Sequence, residues 1–165
     1  MRAMAQSVLK MLELLPGIGQ SVRVVNQIHA IRRLEAERKW VEARALRSTA
    51  LKQAAAARSA PLWRMEGEDL LYNRRDPAAA LAAFQRAEKA LGLSSALYGV
   101  SAPDRIFAGA AQAALALGNV EEARAYLRRF SDVAAELSRQ GEDPAALAWH
   151  QETIANLKRQ LPDPQ

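Results

Sequence analysis

The residues that could do chemistry are few in this 165-residue sequence. Glu66, Glu68 and Asp69 form the tightest acidic cluster, and paired carboxylates can share the acid and base roles of an enzyme. All three fall within one helical turn, and neither a base nor a nucleophile accompanies them. We therefore expect the cluster to be a solvated helix face.

Nucleophilic and metal chemistry have little support either. Ser94, Ser95 and Ser101 lie in a loop-like stretch that lacks the His and Asp pattern of a catalytic triad. The sequence has no cysteine and two histidines, His29 and His150, which is too few for a metal site of recognised spacing. We expect no enzymatic activity, no cofactor and no metal, and we expect His150 to be a solvated surface residue.

The composition favours an all-α fold. Apolar residues make up 50% of the chain and aromatic residues only 5%, and alanine, leucine, arginine and glutamate are abundant. The formal net charge is +5, but acidic residues are interleaved with basic ones, which is typical of solvated helices. No stretch approaches the roughly 20 apolar residues of a membrane span, so we expect a cytoplasmic protein.

Residues 1–20 form a segment of their own, with an apolar amphipathic helix predicted for residues 3–15. The following Leu15-Pro16-Gly17-Ile18-Gly19 resembles the turn of helix-hairpin-helix DNA-binding modules, in which backbone amides contact a phosphate. On that interpretation Gly17, Gly19 and Arg23 bind phosphate, and the partner is a nucleic acid. A plain turn between packed helices explains the same residues. The apolar helix could also lie on a membrane or pack against a second copy of the chain.

A turn that leads into a helix occurs three times in the rest of the chain. In the clearest copy, Gly118 ends one helix in the left-handed conformation, and Asn119 is predicted to cap the next with its side-chain oxygen. The helix then carries one apolar stripe that must be buried, formed by Ala123, Leu127 and Phe130.

The other two copies are found by aligning alanines. Ala43 and Ala80 correspond to Ala123. Ala80 follows Ala43 by 37 residues, and Ala123 follows Ala80 by 43 residues. In the second copy Asp76 is the predicted N-cap and Pro77 takes the first helical position. Both spacings exceed the length of about 34 residues that is common for a helical-hairpin repeat. We attribute the first to a helix that begins near Trp40 and extends to about Arg58, and the second to an insertion at residues 93–101.

These units resemble the tetratricopeptide repeat, a helical hairpin of about 34 residues with the pattern W-x2-L-G-x2-Y, then A-x3-F, then P. Trp63, Gly67, Ala80 and Phe84 match the second copy, although Trp63 lies one residue early relative to Ala80. The large and small interior positions of the third copy fall on Phe107, Ala111 and Ala114. The resemblance implies a right-handed stack of antiparallel helical hairpins, a TPR-like α-solenoid. Its hairpins are about 21–58, 61–92 and 103–140, within a repeat domain of residues 21–165.

The last hairpin is followed by a predicted capping helix, about residues 144–160, which begins after Asp143. Stacked repeats need such an element to cover their last apolar face. We expect Leu147, Ile154 and Leu157 to form its covered side.

The same resemblance implies a noncatalytic protein-interaction module: an adaptor, a scaffold or a chaperone-like protein. Proteins of this type bind a peptide or a helix of a partner in a concave groove lined by the first helix of each hairpin. The ligand-facing positions, carried over one by one, are Ile28, Arg32, Glu35, Arg64, Glu68, Leu71, Tyr72, Arg105, Gln112 and Leu115.

Overall fold

The computed structural model describes residues 18–53, 58–91 and 102–162. These residues form seven α-helices and one turn of π-helix, and none of them lies in a β-strand, which confirms the predicted all-α class. Within the described segments, every helix is too short or too polar to cross a bilayer. The helices are α1 Ile18–Ala36, α2 Trp40–Leu51, α3 Ala60–Glu68, the π-helix Asp69–Asn73, α4 Pro77–Leu91, α5 Pro103–Ala116, α6 Val120–Arg139 and α7 Pro144–Gln160.

Three predictions fall wholly or partly outside the described residues. The apolar helix at residues 3–15 and the insertion at residues 93–101 lie outside them. Of the turn resembling a DNA-binding hairpin, Gly17 lies outside as well, whereas Ile18 and Gly19 are the first residues of α1.

The chain divides into two compact units. The N-terminal unit comprises residues 1–63 and 90–101, and the C-terminal unit comprises residues 64–89 and 102–165. The boundaries fall inside α3 and near the end of α4, so both units contain parts of these helices.

In the N-terminal unit, α1 packs against α2. Apolar side chains spaced by three and four residues put one face of α1 in the core, and the small residues of α2 allow a close approach. Arg47 is 1% exposed, and its guanidinium donates to the Glu35 carboxylate over 2.9 Å, which compensates for burial of the charge. The buried apolar residues of the two helices are Val24, Ile28, Ile31, Ala43 and Ala50.

The helix predicted to reach Arg58 ends at Leu51, so that prediction is wrong. The sequence gives a new start signal eight residues later. The Ser59 hydroxyl accepts from the backbone N–H of Leu62 over 3.4 Å, and Pro61 stands near the beginning of α3, where proline is tolerated.

The core of the C-terminal unit is built around Phe84, which is fully buried on α4. Its ring lies directly against two glycines, Gly67 of α3 and Gly109 of α5. A β-carbon at Gly109 would lie 2.3 Å from the ring, so only glycine fits there without a shift. Buried positions predicted from the repeat pattern are confirmed at Ala80, Phe107, Ala111, Ala114, Ala123, Leu127 and Phe130.

The turns between paired helices share one backbone geometry. Gly118 has φ +75°, and the non-glycine residues Arg38 and Arg75 take the same left-handed conformation, with φ +60° and +58°. After α1, the N–H of Lys39 donates to the carbonyl of Leu34, and after α5 the N–H of Asn119 donates in the same way to that of Ala114. The chain thus reuses one helix-ending motif.

The caps that follow these turns agree only in part with the sequence. Asp76 accepts from the backbone N–H of Ala79 over 3.0 Å, and Asp143 accepts from that of Ala145, as predicted. Asn119 does not cap α6 through its side chain, so that prediction is wrong. Its side-chain amide instead donates to the Glu122 carboxylate over 3.4 Å.

Replacing Arg38 with glycine should stabilise the protein. A left-handed backbone costs an ordinary residue roughly 1–2 kcal/mol, and the larger entropy of glycine in the unfolded chain offsets part of the gain. We expect Arg38→Gly to raise the free energy of unfolding by about 0.5–1 kcal/mol, measured by urea denaturation. The matched control is Gly118→Ala, where nothing contacts the added β-carbon and only backbone strain acts. A loss of stability in both variants would contradict the argument.

Tyr126 of α6 contacts Glu88 of α4 and stacks on Phe107 of α5, so it connects three helices of the C-terminal unit. Its hydroxyl donates to the Glu88 carboxylate over 3.2 Å, and Glu88 also pairs with Arg129. The Arg129 guanidinium lies 4.3 Å from the centre of the Phe107 ring, in cation–π geometry. Burial, followed by the negative charge of Glu88, raises the pKa of the Tyr126 phenol to about 12.

This raised pKa predicts a loss of stability in alkali. Below about pH 10 the phenol is protonated in both states, so its contribution to stability is complete. Between about pH 10 and 12 only the unfolded state releases the proton, and the contribution is lost. We expect the free energy of unfolding to fall between these pH values, and to fall less steeply in Tyr126→Phe. Equal slopes for the two proteins would show that Tyr126 does not contribute.

Candidate functional site

A concave groove opens on the C-terminal unit where the π-helix, the start of α4, α5 and α7 meet. Its volume is about 520 Å³. We call it the Tyr72 groove, and its lining residues are Leu71, Tyr72, Arg75, Pro77, Gln112, Ala116, Asn156, Leu157 and Gln160.

Tyr72 is the largest exposed apolar group at this groove, with 53% of its surface accessible. It lies in the π-helix Asp69–Asn73, where one additional residue per turn changes the direction of the side chains. The turn is held internally by the Asn73 amide, which donates to the Asp69 carboxylate over 2.9 Å. Asp69 is only 5% exposed, so the prediction that its acidic cluster is a solvated helix face is wrong at this residue. A single widened turn of this kind often marks a functional position in a helix.

The Tyr72 hydroxyl donates to the side-chain carbonyl of Gln112, which fixes the ring against α5. Partial burial, followed by the negative charge of Glu68, raises the pKa of the phenol. Arg105 lowers the same pKa, so Glu68 and Arg105 both lie within electrostatic reach of Tyr72. The groove therefore has charges of both signs near its aromatic residue.

The remaining polar groups of the groove are mainly amides. Gln112 of α5 and Asn156 and Gln160 of α7 line it, and Arg75 adds a guanidinium. A side-chain amide both donates and accepts hydrogen bonds, so such a row matches the alternating N–H and C=O groups of a peptide backbone. Leu71, Pro77, Ala116 and Leu157 supply apolar surface between the polar groups.

The structure brings together part of the predicted binding set. Leu71, Tyr72 and Gln112 line the groove, and Glu68 and Arg105 act on Tyr72 electrostatically. Arg64 is only 7% exposed and is paired with Glu68, so its side chain offers little surface to a partner. Leu115 is half-buried on α5 and does not line the groove.

The predicted residues from the first hairpin belong to the N-terminal unit. Ile28 is 4% exposed and lies in the core, so it cannot serve as a contact residue on the surface. Glu35 is bonded to Arg47, and Arg32 is exposed. Arg23, from the alternative phosphate-binding set, is also exposed on α1.

Sequence reasoning missed Arg75, Asn156 and Gln160. The last two are four residues apart on α7, beside a stripe that runs through His150, Thr153 and Leu157. Of the predicted covered side, Leu157 is buried as expected, whereas Leu147 and Ile154 are only half-buried. The buried face of α7 contains His150 and Thr153 in their place.

The prediction that His150 is solvated is therefore wrong: it is 2% exposed. Its Nε2 lies 3.0 Å from the Asp104 carboxylate, and Nδ1 lies 3.5 Å from that of Glu142. The rings of Phe130 and Trp149 pack beside it, with centroids 5.7 and 5.2 Å away. A buried partner makes histidine acceptable in this interior.

The described residues contain no group of three or more His, Cys, Asp or Glu side chains suited to a metal ion. No protein-family model, curated protein or solved structure matches the chain.

Proposed function

We propose that the C-terminal unit is a noncatalytic protein-interaction module that binds an extended segment of a partner protein in the Tyr72 groove. The observation that carries the proposal is the composition of this groove: an exposed tyrosine and three amide side chains surround about 520 Å³ of accessible space. Tyrosine and arginine are frequent energetic anchors at protein interfaces, and the groove has both in Tyr72 and Arg75.

The size and chemistry of the groove favour an extended peptide. A peptide backbone presents a polar group at every residue, at intervals of about 3.3–3.6 Å, and these groups must stay hydrogen-bonded when they lose water. The amides of Gln112 on α5 and of Asn156 and Gln160 on α7 can satisfy them. Amide, phenol and guanidinium groups bind in this way without activating a nucleophile.

We also propose that the hairpins are degenerate tetratricopeptide repeats, so that the groove corresponds to the ligand-binding surface of that family. The recurring left-handed turn at Arg38, Arg75 and Gly118 supports this. The π-helix Asp69–Asn73 supports the same assignment, because it explains a difference in spacing between two of the hairpins. Trp63 to Ala80 is 17 residues, whereas Phe107 to Ala123 is 16, and one π-turn accommodates the additional residue.

The proposal can be tested by selecting peptides from a random display library on the intact chain. Counter-selection on Tyr72→Ala/Gln112→Ala removes peptides that bind elsewhere. For a selected synthetic peptide, we expect Tyr72→Ala and Gln160→Ala each to weaken binding, with Tyr72→Ala at about tenfold or more, measured by fluorescence anisotropy.

The matched control is Gln151→Ala, because Gln151 is an exposed glutamine of α7 that does not line the groove. It should leave the affinity unchanged. If the selected peptides bind the double variant as well as the wild type, the Tyr72 groove is not the binding site.

A further inference from the structure

The turn between α1 and α2 has two neighbouring apolar side chains in contact with water. Trp40 is 43% exposed and Val41 is 77% exposed. Exposed apolar residues in isolation need no explanation, but Trp40 and Val41 are consecutive residues at the start of α2, and both side chains reach water.

Exposed basic residues lie in the same hairpin as this apolar pair. Arg32 and Arg33 are exposed in the last turns of α1, and Arg38 and Lys39 connect the helices. Glu37 pairs with Lys39 over 2.8 Å, and Glu42 and Arg33 both lie within electrostatic reach of Lys39, so the turn contains two acidic residues as well. We call this surface the Trp40 tip, formed by Arg32, Arg33, Arg38, Lys39, Trp40 and Val41.

The charge of the Trp40 tip belongs to a wider asymmetry. Residues 22–53 contain eight arginines and lysines against three glutamates. The C-terminal unit, residues 64–89 and 102–165, contains 12 basic residues against 14 acidic ones. The basic excess of the chain therefore resides in the N-terminal unit.

The equivalent turn of the C-terminal unit shows that the fold does not require these side chains. Its backbone has the same hydrogen bonds, and Gly118 there takes the left-handed conformation that Arg38 takes in the first turn. At the places of Lys39, Trp40 and Val41, however, it has Asn119, Val120 and Glu121, and Val120 is half-buried. A turn of this type thus forms with less apolar exposure and with negative charge.

We propose that the Trp40 tip docks reversibly on an anionic phospholipid bilayer. Tryptophan favours the depth of the lipid headgroups, and a neighbouring aliphatic side chain can enter the acyl boundary. Arginine and lysine extend their charged ends toward lipid phosphates while their methylene stems remain on apolar surface.

A bilayer explains both apolar residues, whereas a nucleic acid explains only one. An unpaired base stacks on an aromatic ring, so Trp40 and the arginines would suit single-stranded RNA or DNA. Val41 is the more exposed of the pair and gains nothing from stacking. Since only two side chains would insert, attachment depends on the basic residues as well and should weaken as salt increases.

The experiment uses the intact chain and vesicles of phosphatidylcholine, either alone or with about 30% phosphatidylserine. Cosedimentation should occur only with the anionic vesicles. Arg38→Gly/Lys39→Gln removes two charges while it keeps the turn, and we expect about a thirtyfold lower partition coefficient, from roughly a factor of five per charge. Trp40→Ala should lower the partition coefficient severalfold. Val41→Ser, a more conservative change at the most exposed position, should independently lower it severalfold.

The absence of cysteine allows the contact to be located directly. A bimane fluorophore on Val41→Cys should shift to the blue when anionic vesicles are added, and one on Glu152→Cys, exposed on α7, should not. Failure to bind these vesicles overturns the proposal, as does binding without a shift at residue 41, which would assign the contact to another segment. Binding of a labelled single-stranded oligonucleotide that requires Trp40, without vesicle binding, would overturn it in favour of a nucleic acid.

Discussion

Replacing Phe84 with alanine is expected to lower the free energy of unfolding by about 3–5 kcal/mol. The ring is fully buried and contacts helices on both sides, at Gly67 and Gly109. Its removal leaves a cavity that the two glycines have no side chains to fill. Urea denaturation followed by circular dichroism measures the loss, and Ala82→Gly on the exposed face of α4 gives the reference, about 1 kcal/mol.

The opposite change at the same contact separates packing from helix propensity. Gly109→Ala improves the intrinsic helix preference of α5 by about 1 kcal/mol, yet its β-carbon would lie 2.3 Å from the Phe84 ring. We expect a net loss of about 1–2 kcal/mol from overpacking. Combining Gly109→Ala with Phe84→Leu should cost less than the sum of the two changes, because the smaller side chain makes room. Strict additivity would show that the ring and Gly109 are not in contact.

The features of the fold that the sequence predicted correctly are those set by local chemistry. Gly118 and the Asp76-Pro77 pair specify a helix end and a helix start with few neighbours involved. The apolar spacing through Ala123, Leu127 and Phe130 likewise specifies a buried face. Alanine-rich helices without β-branched runs gave the all-α class on the same grounds.

The features that escaped prediction depend on contacts between distant residues. The left-handed conformation of Arg38 and Arg75 is imposed by the hairpins, since arginine has no preference for it. His150 is buried because Asp104, 46 residues away in sequence, provides its partner. The one-residue offset of Trp63 was visible in the sequence, but only the structure identifies the π-helix that accommodates it.

The same limit explains why the candidate site was only partly predicted. Leu71, Tyr72 and Gln112 follow from repeat positions, whereas Asn156 and Gln160 depend on the rotation of α7 about its axis. We expect that rotation to be set by the pairing of His150 with Asp104 on the buried face of α7. On this expectation, the orientation of the last helix, and hence one wall of the Tyr72 groove, relies on a buried polar contact.

Asp104→Ala should consequently destabilise the C-terminal unit by about 2–3 kcal/mol, because it leaves the buried imidazole without its 3.0 Å partner. Asp104→Asn should cost less, since an amide can still bond to the ring. Glu142→Gln should have little effect, because Glu142 is 3.5 Å from Nδ1 and its side chain is 27% exposed. Urea denaturation of the three variants measures these differences.

A double-mutant cycle with His150→Ala decides whether the bond itself is responsible. If it is, Asp104→Ala costs much less once His150 is absent, and the coupling energy is about 1–2 kcal/mol. Equal costs in both backgrounds would attribute the loss to the start of α5, where the Asp104 carboxylate also lies near the positive end of the helix dipole. Because α7 supplies Asn156 and Gln160, loosening it through Asp104→Ala should also weaken a selected peptide, although Asp104 does not line the groove.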